Sequence, residues 1–417
     1  MNRLTNILSG RGWHDLVLFV VSAGLYSPSL MNGFVGDDYI YFIGNRYIST
    51  FDVKTILMHG AIGYDYCPLR DLSLAIDYLA WGENPFGFHL TNLVLYGITV
   101  VAVKYLFVRF SELLQDGLAT PEEADASGTG AFLAAMLFAI HPIHREVVYA
   151  VHNRGALLTT LFCIFSCLAF ISFLRLDRSP PRYYAAAFLW CVCAFMSREY
   201  GLILPLVLLL LVAFHQPSRN LRRYLSLTPF FMAGALFYCI FRHYAVDACY
   251  VMPSSEPLLR DLFAKLVVVF KIIVYYPASM FALDLPVNAY FDPGSKTIAF
   301  VSFLVVAVLT CIAYAVRRRH PGLLFALLLY LACLIPVMNF FNTDPVVSDR
   351  YAYLPGLGIF FAIKAIPYQS WKRYIPVICL ILISVWVVAT YKFMACWKDD
   401  AAYRKRFSPT APTGCRQ

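Results

Sequence analysis

The chain has 417 residues, of which 60% are hydrophobic and only 14% are charged, and its mean hydropathy is +0.64. Soluble domains carry roughly 25% charged residues, so this composition excludes a soluble globular protein and predicts an integral membrane protein. The net charge of +9 lies largely in short turns between apolar runs, as expected for membrane topology, and it does not indicate nucleic-acid binding.

The N-terminus carries Arg3 and Arg11 before an apolar stretch, as a signal peptide would. No small-x-small cleavage site follows, so we expect an uncleaved first span. Most of the twelve cysteines lie inside apolar segments, which predicts inert small hydrophobic side chains. Their spacing matches neither a zinc site nor a redox pair, and we expect no metal centre.

The apolar segments predict an all-α polytopic membrane protein with a bundle of about 11 transmembrane helices. Each segment has about 16 to 21 residues, the length that crosses a hydrocarbon core. They lie at 14–31, 89–109, 130–149, 154–174, 182–197, 200–215, 225–243, 298–316, 322–338, 352–367 and 374–393.

Short basic turns predict the orientation of these spans, because such turns face the cytoplasm. They read RLDRSPPR, HQPSRNLRR, RRRHPG and YQSWKR. The turn RHYAVD then lies outside and RRRHPG inside, so an odd number of crossings must separate them and only one of the segments 258–283 and 298–316 spans. We assign the crossing to the uncharged 298–316, and 258–283 becomes an interfacial or re-entrant helix on the outer side. The N-terminus then lies inside and the tail 398–417 outside.

The predicted outer face concentrates acidic residues. It holds 18 of the 25 Asp and Glu, and the flexible linker 110–129 holds most of the rest. The first outer loop, 32–88, is too polar to span. Its stretch LRDLSLAIDYLAWG mixes apolar residues with charges, which predicts an amphipathic helix on the membrane surface. We therefore expect the chemistry at the outer face.

Two adjacent acids, Asp37 and Asp38, follow the first span in the aromatic stretch GFVGDDYIYF. A carboxylate half-shielded by membrane and aromatic rings holds a proton more readily, so it can act as a general base toward a hydroxyl nucleophile. The alternative is a solvated loop with an Asx turn.

Two further polar clusters flank the next spans. In 67–93, Arg70 and Asp71 are candidate substrate contacts, the alternative being a capped surface helix. The stretch HPIHREVVYAVHNR, 141–154, contains His141, His144, Glu146, His152 and Arg154. Its arginine and histidines can donate to the anionic oxygens of a phosphate or sugar. The alternative is a polar hairpin, and Pro142 argues against a metal site built on the two nearest histidines.

The last two clusters contain arginines at the mouths of spans. Arg198 and Glu199 either line an outer cavity or pair to mark a turn. Arg350 precedes Tyr351 and Tyr353, and a guanidinium there is suited to a lipid phosphate, although a snorkelling arginine in an aromatic belt would look the same. Transporters place their sites near the bilayer midplane, whereas the centres of these spans carry no charge, which favours catalysis at the outer surface.

Five stretches, taken in order, resemble the membrane part of the GT-C glycosyltransferases, above all the transmembrane-and-tetratricopeptide-repeat O-mannosyltransferases and their bacterial relatives. They read NGFVGDDYIYFIGN, YCPLRDLSLAIDYLAWGENPFGFHLTNL, HPIHREVVYAVHNRGALL, SREYGLILP and SDRYAYLPGLG. The resemblance implies a GT-C-like domain over 1–397. It also implies inverting transfer of a hexose such as mannose from a polyprenyl phosphate to a hydroxyl acceptor on the extracytoplasmic face, with neither metal nor cofactor.

The resemblance also implies residue roles. Asp37 would be the base, and Asp38 would orient it or the acceptor. The expected ligands of the donor phosphate are Arg350, Arg154, His144 and Arg70. The expected cavity lining is His141, Glu146, Arg198, Glu199, Tyr351 and Tyr353. The expected partners are the polyprenyl-phosphate sugar, a protein or glycan acceptor and the lipid bilayer, without nucleic acid.

Two departures from the family pattern affect these expectations. Tyr66-Cys67-Pro68-Leu69 stands where the family commonly has Tyr-Arg-Pro-Leu, so the role of Arg70 stays open. No repeats follow the membrane part, so we expect acceptor recognition in the outer loops or in a partner protein, and we favour a bacterial inner membrane. A lipid acceptor, a transporter of lipid-linked precursors and an inactive accessory subunit are the alternatives.

Overall fold

The computed structural model describes residues 2–59, 66–114, 121–175, 180–215, 224–245, 258–282, 296–338, 347–366 and 374–407. These residues are mainly helical and include no strand, so the predicted all-α class is confirmed for them. Residues 115–120 of the linker 110–129, residues 176–179, 216–223 and 368–373 of the basic turns, and residues 408–417 of the tail lie outside the described residues. The described parts of the predicted flexible linker belong to the helices Pro85–Leu114 and Pro121–Ile140.

The α-helices are Asn2–Tyr26, Arg46–Ser49, Val53–His59, Pro68–Trp81, Pro85–Leu114, Pro121–Ile140, Arg145–Tyr149, Arg154–Arg175, Pro181–Ser197, Leu204–Phe214, Thr228–Ala245, Leu258–Ala282, Lys296–Ala315, Pro321–Leu334, Gly356–Ala365, Ile375–Met394 and Asp400–Phe407. Single turns join several of them, at Ser27–Met31, Tyr39–Ile43, Pro142–His144, Val151–Asn153, Glu199–Ile203, Ile335–Val337, Asp349–Ala352 and Ala395–Trp397.

Within the described ranges, five helical segments are long and apolar enough to cross a membrane. They are Gly12–Met31, Pro85–Leu114, Val151–Arg175, Ala264–Phe281 and Thr297–Ala315. The other apolar helices of the described residues are shorter or bent, so the membrane class is supported and the predicted count of 11 spans is not confirmed. Because Ala264–Phe281 meets the criterion, the outer, non-spanning placement of 258–283 stays a prediction.

A bend divides the segment predicted as a span at 130–149. The helix ends at Ile140, and the chain continues through Pro142–Tyr149 at an angle of 53°. Proline removes a backbone donor and its ring clashes with the preceding turn, which explains the break. The segment is therefore bent and not one continuous helix, and its crossing of the membrane stays a prediction.

The helix Pro85–Leu114 lies at the centre of the bundle. It packs against Asn2–Tyr26, Pro121–Ile140 and Arg154–Arg175. Aromatic rings fill the contact with later helices, as where Phe110 meets Phe325 and Phe361 at centroid distances of 4.8 and 5.3 Å. Within lipid such contacts stabilise mainly by close packing, because the hydrocarbon gives no hydrophobic drive between helices.

The helix Pro68–Trp81 presents its charges to the protein rather than to the surface. Arg70, Asp71 and Asp77 are buried, whereas Ile76 and Leu79 are exposed. The predicted helix is thus present, and its exposed apolar residues fit the predicted position at a membrane surface. Its charged residues point toward the end of the bundle where the candidate site lies.

Candidate functional site

The acidic loop, residues 33–38, follows the first long helix and its terminal turn. Phe34 and Val35 are buried and anchor the loop, and the Phe34 ring packs edge-on against Phe88 at 5.5 Å. Gly36 has a φ of +50°, a left-handed conformation that glycine adopts without the steric cost of a Cβ. This turn directs the next two residues, Asp37 and Asp38, to opposite environments.

Asp38 is the buried acid of the pair, with no exposed surface. Its Oδ2 accepts the N–H of Val35 at 3.0 Å, and its Oδ1 accepts the backbone N–H of His152 at 2.8 Å. The His152 ring nitrogen Nδ1 lies 2.8 Å from the same Oδ1. Asp38 therefore ties the acidic loop to the turn Val151–Asn153, 114 residues later.

Asp37 is the accessible acid, with 45% of its side chain exposed. Its Oδ2 lies 3.7 Å from Nε2 of His152. That separation is longer than a hydrogen bond, but rotation of an exposed side chain can close it. The two acids thus approach the two nitrogens of one imidazole ring, and only Asp37 is open to a substrate.

A second charged pair joins the bent segment to the stretch before Tyr351. Glu146 accepts Nη1 of Arg350 at 2.9 Å through Oε1, and it accepts the Arg350 backbone N–H at 2.9 Å and the Ser348 hydroxyl at 2.6 Å through Oε2. Burial opposes the charge of Arg350, but the carboxylate of Glu146 outweighs it and raises the pKa of this guanidinium above its usual value. Arg350 is therefore a fixed cation.

A narrow cleft lies next to Arg350. Tyr351, Tyr353 and Tyr200 contribute to its walls, together with Thr159 and Thr160 from the helix Arg154–Arg175. Two tyrosines predicted as cavity lining thus border a cleft together with the predicted phosphate-binding arginine.

Arg154 lies deeper, and protein oxygens surround its guanidinium. It is fully buried, its Nε donates to Asn92 at 2.8 Å, and Nη1 and Nη2 donate to the carbonyls of Ser73 and Phe88 at 3.1 and 2.9 Å. An ion pair with Asp77 at 2.6 Å completes the set. This geometry favours a supporting role, and donor-phosphate binding by Arg154 stays a prediction.

The remaining arginines of the predicted site also have protein partners. Arg70 donates from Nε to Asp71 at 2.8 Å and lies over the Tyr41 ring at 5.1 Å. Arg198 lies 3.6 Å from the carboxylate of Glu199 and donates to the Asn153 side chain at 3.4 Å. Both lie at the acidic-loop end, and their substrate contacts stay predictions.

The two histidines of the bent segment are enclosed. Nδ1 of His141 accepts the N–H of Ile143 at 3.1 Å, and its Nε2 lies 2.9 Å from the carbonyl of Met280. His144 lies with Nδ1 3.0 Å from the Tyr96 hydroxyl and with its ring against Phe138 and Tyr353. This packing places both rings within the protein core, and their predicted roles stay untested.

The C-terminal segment, residues 395–407, covers the acidic loop. The carbonyl of Lys398 accepts the N–H of Gly33 at 2.8 Å, and Asp400 accepts the N–H of Gly36 at 3.0 Å. Burial, then the negative charges of Glu146 and Asp37, raise the pKa of Tyr403. The Tyr403 ring packs against the acidic loop, since a Cβ on Gly36 would lie 2.6 Å from it.

Sequence reasoning missed several residues that build this end. His152 was predicted only as one of the histidines that could donate to an anionic oxygen, and Tyr403, Asp400 and Ser348 were not singled out. A histidine in an outer turn was a usable signal, but nothing in the spacing pairs it with an acid 114 residues earlier. No group of three metal-ligating side chains occurs within the described ranges.

Parts of the sequence are similar to those of animal protein O-mannosyl-transferases. No family model matches the chain. It is 36% identical over 118 residues to the mouse protein O-mannosyl-transferase TMTC2, a match that covers 28% of this chain and 12% of that protein. It is 30% identical over 170 residues to mouse TMTC4, covering 38% and 23%. A longer match, at 20% identity over 365 residues, is to the Caenorhabditis elegans protein O-mannosyl-transferase F38B6.6, covering 84% of this chain and 49% of that protein.

The matched region spans less than half of the length of each of these relatives. All three are animal proteins, so they give no support to the predicted bacterial inner membrane. The described part of the chain is all-α, with several helices apolar enough to cross a membrane, and the sequence is similar to that of animal protein O-mannosyl-transferases.

Proposed function

We propose that the chain is a glycosyltransferase of the GT-C type that moves a hexose, such as mannose, from a polyprenyl-phosphate donor to a hydroxyl acceptor. One observation carries the proposal: the segment 141–154 joins an exposed acid to a cation beside a cleft, because its His152 lies 3.7 Å from Asp37 and its Glu146 accepts Arg350 at 2.9 Å. A base and an anion-stabilising group at one end of a membrane bundle are the two elements that such a transfer needs.

The proposed reaction is a single displacement. Asp37 takes the proton from the acceptor hydroxyl, and the oxygen attacks the anomeric carbon of the sugar. The new carbon–oxygen bond forms as the bond to the phosphate breaks, and the electron pair leaves with the phosphate. Attack opposite the leaving group inverts the anomeric centre. Arg350 stabilises the charge that develops on the phosphate, so the step needs no metal in this proposal.

Arg350 is suited to this role because Glu146 fixes its position. The carboxylate holds one end of the guanidinium and the backbone of the same residue. Nε of Arg350 is buried and has no hydrogen-bond partner among the described residues. A preorganised cation next to a cleft needs little rearrangement when the phosphate charge grows.

The names of the relatives favour a protein hydroxyl as the acceptor, and we place the reaction on the extracytoplasmic face, with the N-terminus in the cytoplasm. Lipid and glycan acceptors are distinguished by supplying each in turn with the same donor.

The test uses the purified chain in detergent with polyprenyl-phosphate mannose and measures the release of polyprenyl phosphate. Asp37→Asn removes the base while preserving the shape, and turnover is expected to fall about 10²- to 10⁴-fold. Glu83→Gln is the matched control. Glu83 is an exposed acid of the predicted first outer loop, 32–88, but lies outside the acidic loop, so we expect unchanged turnover. Equal turnover in wild type and Asp37→Asn would sink the assignment of the base. No turnover with any donor, together with movement of the donor across vesicles, would identify a transporter instead.

A further inference from the structure

The imidazole of His152 lies between the two acids of the acidic loop. Nδ1 is 2.8 Å from Asp38, and Nε2 is 3.7 Å from Asp37. The residue is 4% exposed, and Tyr41 stacks on its ring with centroids 6.1 Å apart. Glu146 is near enough to interact electrostatically with it. His152 is therefore enclosed on most sides and directed at the exposed acid.

The contacts of Asp38 determine which nitrogen of His152 carries hydrogen. Each oxygen of Asp38 already accepts a backbone N–H, so this carboxyl group acts as an acceptor. A ring nitrogen at 2.8 Å from it must then donate, which assigns the hydrogen to Nδ1. In a neutral imidazole the other nitrogen, Nε2, carries a lone pair.

Nε2 of His152 is the unusual atom of the arrangement. It is buried, and no hydrogen-bond partner for it exists among the described residues. A buried polar atom without a partner costs free energy, so its presence in a folded protein calls for an explanation, such as a catalytic role. The nearest acidic oxygen belongs to Asp37, the residue to which the proposed function assigns the proton.

We propose that His152 is a positioning residue that acts through Asp37, from which it accepts the proton of the acceptor hydroxyl. This inference rests on the proposed function. Asp37 takes the proton from the acceptor hydroxyl, its side chain rotates to close the gap, and the proton moves from the carboxyl oxygen to Nε2. Asp37 returns to the carboxylate, and the imidazolium is stabilised by Asp38 on its far side until water removes the proton.

This arrangement gives Asp38 a task distinct from that of Asp37. Asp38 never meets the substrate; it fixes the orientation and the tautomer of His152 and then balances the positive charge. A buried carboxylate that is hydrogen-bonded to one nitrogen of an imidazole lowers the energy of the imidazolium that forms when the other nitrogen takes up a proton. The two neighbouring acids thus serve the two sides of one ring.

Two substitutions test separately the two nitrogens of the His152 ring. His152→Asn keeps a donor near Asp38 but removes the atom that faces Asp37, and His152→Gln reaches toward Asp37 but cannot take up a proton. We expect kcat to fall about 10- to 100-fold in both, less than for loss of the base itself, with KM for the donor unchanged. His320→Asn, in a turn outside this site, is the control and keeps the wild-type kcat.

A double-mutant cycle with Asp37→Asn completes the experiment. If His152 acts through Asp37, adding His152→Asn to Asp37→Asn lowers kcat by less than twofold further. A full additive loss, an effect on KM alone, or a wild-type kcat in both His152 variants would each overturn the inference. A loss with Asp37→Asn but none with the His152 variants would leave the proposed base intact. An unchanged rate in Asp37→Asn would overturn the proposed base and, with it, this inference.

Discussion

The acidic-loop end of the bundle and the opposite end both carry ion pairs, but they place them in different surroundings. At the acidic-loop end the side chains of the Arg154–Asp77 pair are 0% and 9% exposed, and Arg350 and Glu146 are nearly as enclosed. At the opposite end Arg109 is 47% exposed and shares Glu112 with Arg175. Lys104 and Asp15 also pair there, and this pair is an exception in part, since the lysine is buried while the acid is 24% exposed.

This difference indicates where the charges serve a function. Burying an ion pair costs desolvation that the attraction between the charges often fails to offset, so such pairs are weak evidence for stability. Exposed pairs cost little and contribute little. A concentration of buried charges at one end is therefore better explained by a site than by stabilisation, and buried, interacting charges are common in functional sites.

The largest expected effect comes from breaking the deepest pair. Arg154→Met leaves Asp77 buried without its cation, and we expect a loss of about 3–5 kcal/mol in the free energy of unfolding. Arg175→Met, at the opposite end, should cost no more than about 1 kcal/mol. Thermal unfolding in detergent measures both. Equal losses would remove the distinction between the two ends, and a normal stability with a raised donor KM would restore Arg154 as a phosphate ligand.

The next effect concerns the cation beside the cleft. Arg350→Gln removes the charged partner of Glu146, and we expect a stability loss of about 2–3 kcal/mol. We also expect a lower kcat, because the leaving phosphate loses its cation in the transition state, together with a higher donor KM. Arg109→Gln is the exposed counterpart and should change none of these quantities. Titration of the donor in the release assay gives kcat and KM. A variant with normal kcat and KM and only reduced stability would show that Arg350 is purely structural.

A smaller effect is expected at the turn that directs the acids. Gly36→Ala places a Cβ 2.6 Å from the Tyr403 ring in a left-handed conformation, which costs about 1–2 kcal/mol for the conformation alone. Gly24→Ala, in the first long helix with open space around its Cβ, should be neutral or slightly stabilising. Unfolding and turnover are measured on the same samples. Wild-type stability of Gly36→Ala would contradict the close contact with Tyr403.

The smallest effect is expected at the C-terminal segment. Asp400→Ala removes the acceptor of the Gly36 N–H. A hydrogen bond of this kind contributes about 1 kcal/mol to the free energy of unfolding, so we expect a loss of that size. Asp400→Asn keeps an acceptor oxygen and should recover most of the loss, which makes it the matched control. Hydrogen exchange at Gly36 reports the contact directly. Identical exchange rates in wild type and Asp400→Ala would show that the contact does not form.

The helices were largely predictable because long apolar runs leave few alternatives in a membrane. The segments 89–109 and 154–174 lie inside the helices Pro85–Leu114 and Arg154–Arg175. The bend after Ile140 was harder to predict. Pro142 was recognised as a helix breaker, but the predicted span, 130–149, continued past it. A hydropathy pattern shows what is apolar and leaves the path of the chain open.

The candidate site was predictable only in part. Polar residues at the mouths of spans led to Asp37, Glu146 and Arg350, since charges near lipid are costly to keep without a purpose. Their pairing was not accessible, because Glu146 and Arg350 are 204 residues apart and spacing along one chain does not say which helices are neighbours. For the same reason the sequence did not pair His152 with Asp37 and Asp38. That pairing is fixed by the packing of two turns.

The bonds between the C-terminal segment and the acidic loop also set an order in time. Gly33 and Gly36 are made early, yet their hydrogen-bond acceptors lie on Lys398 and Asp400. At ordinary rates of translation the ribosome needs roughly 20 to 70 s to reach those residues. Throughout that interval the first helices are already inserted while the loop lacks its cover. The loop therefore reaches its described arrangement only after the last long helix has been synthesised, and a nascent chain shorter than about 400 residues carries the two acids without this support.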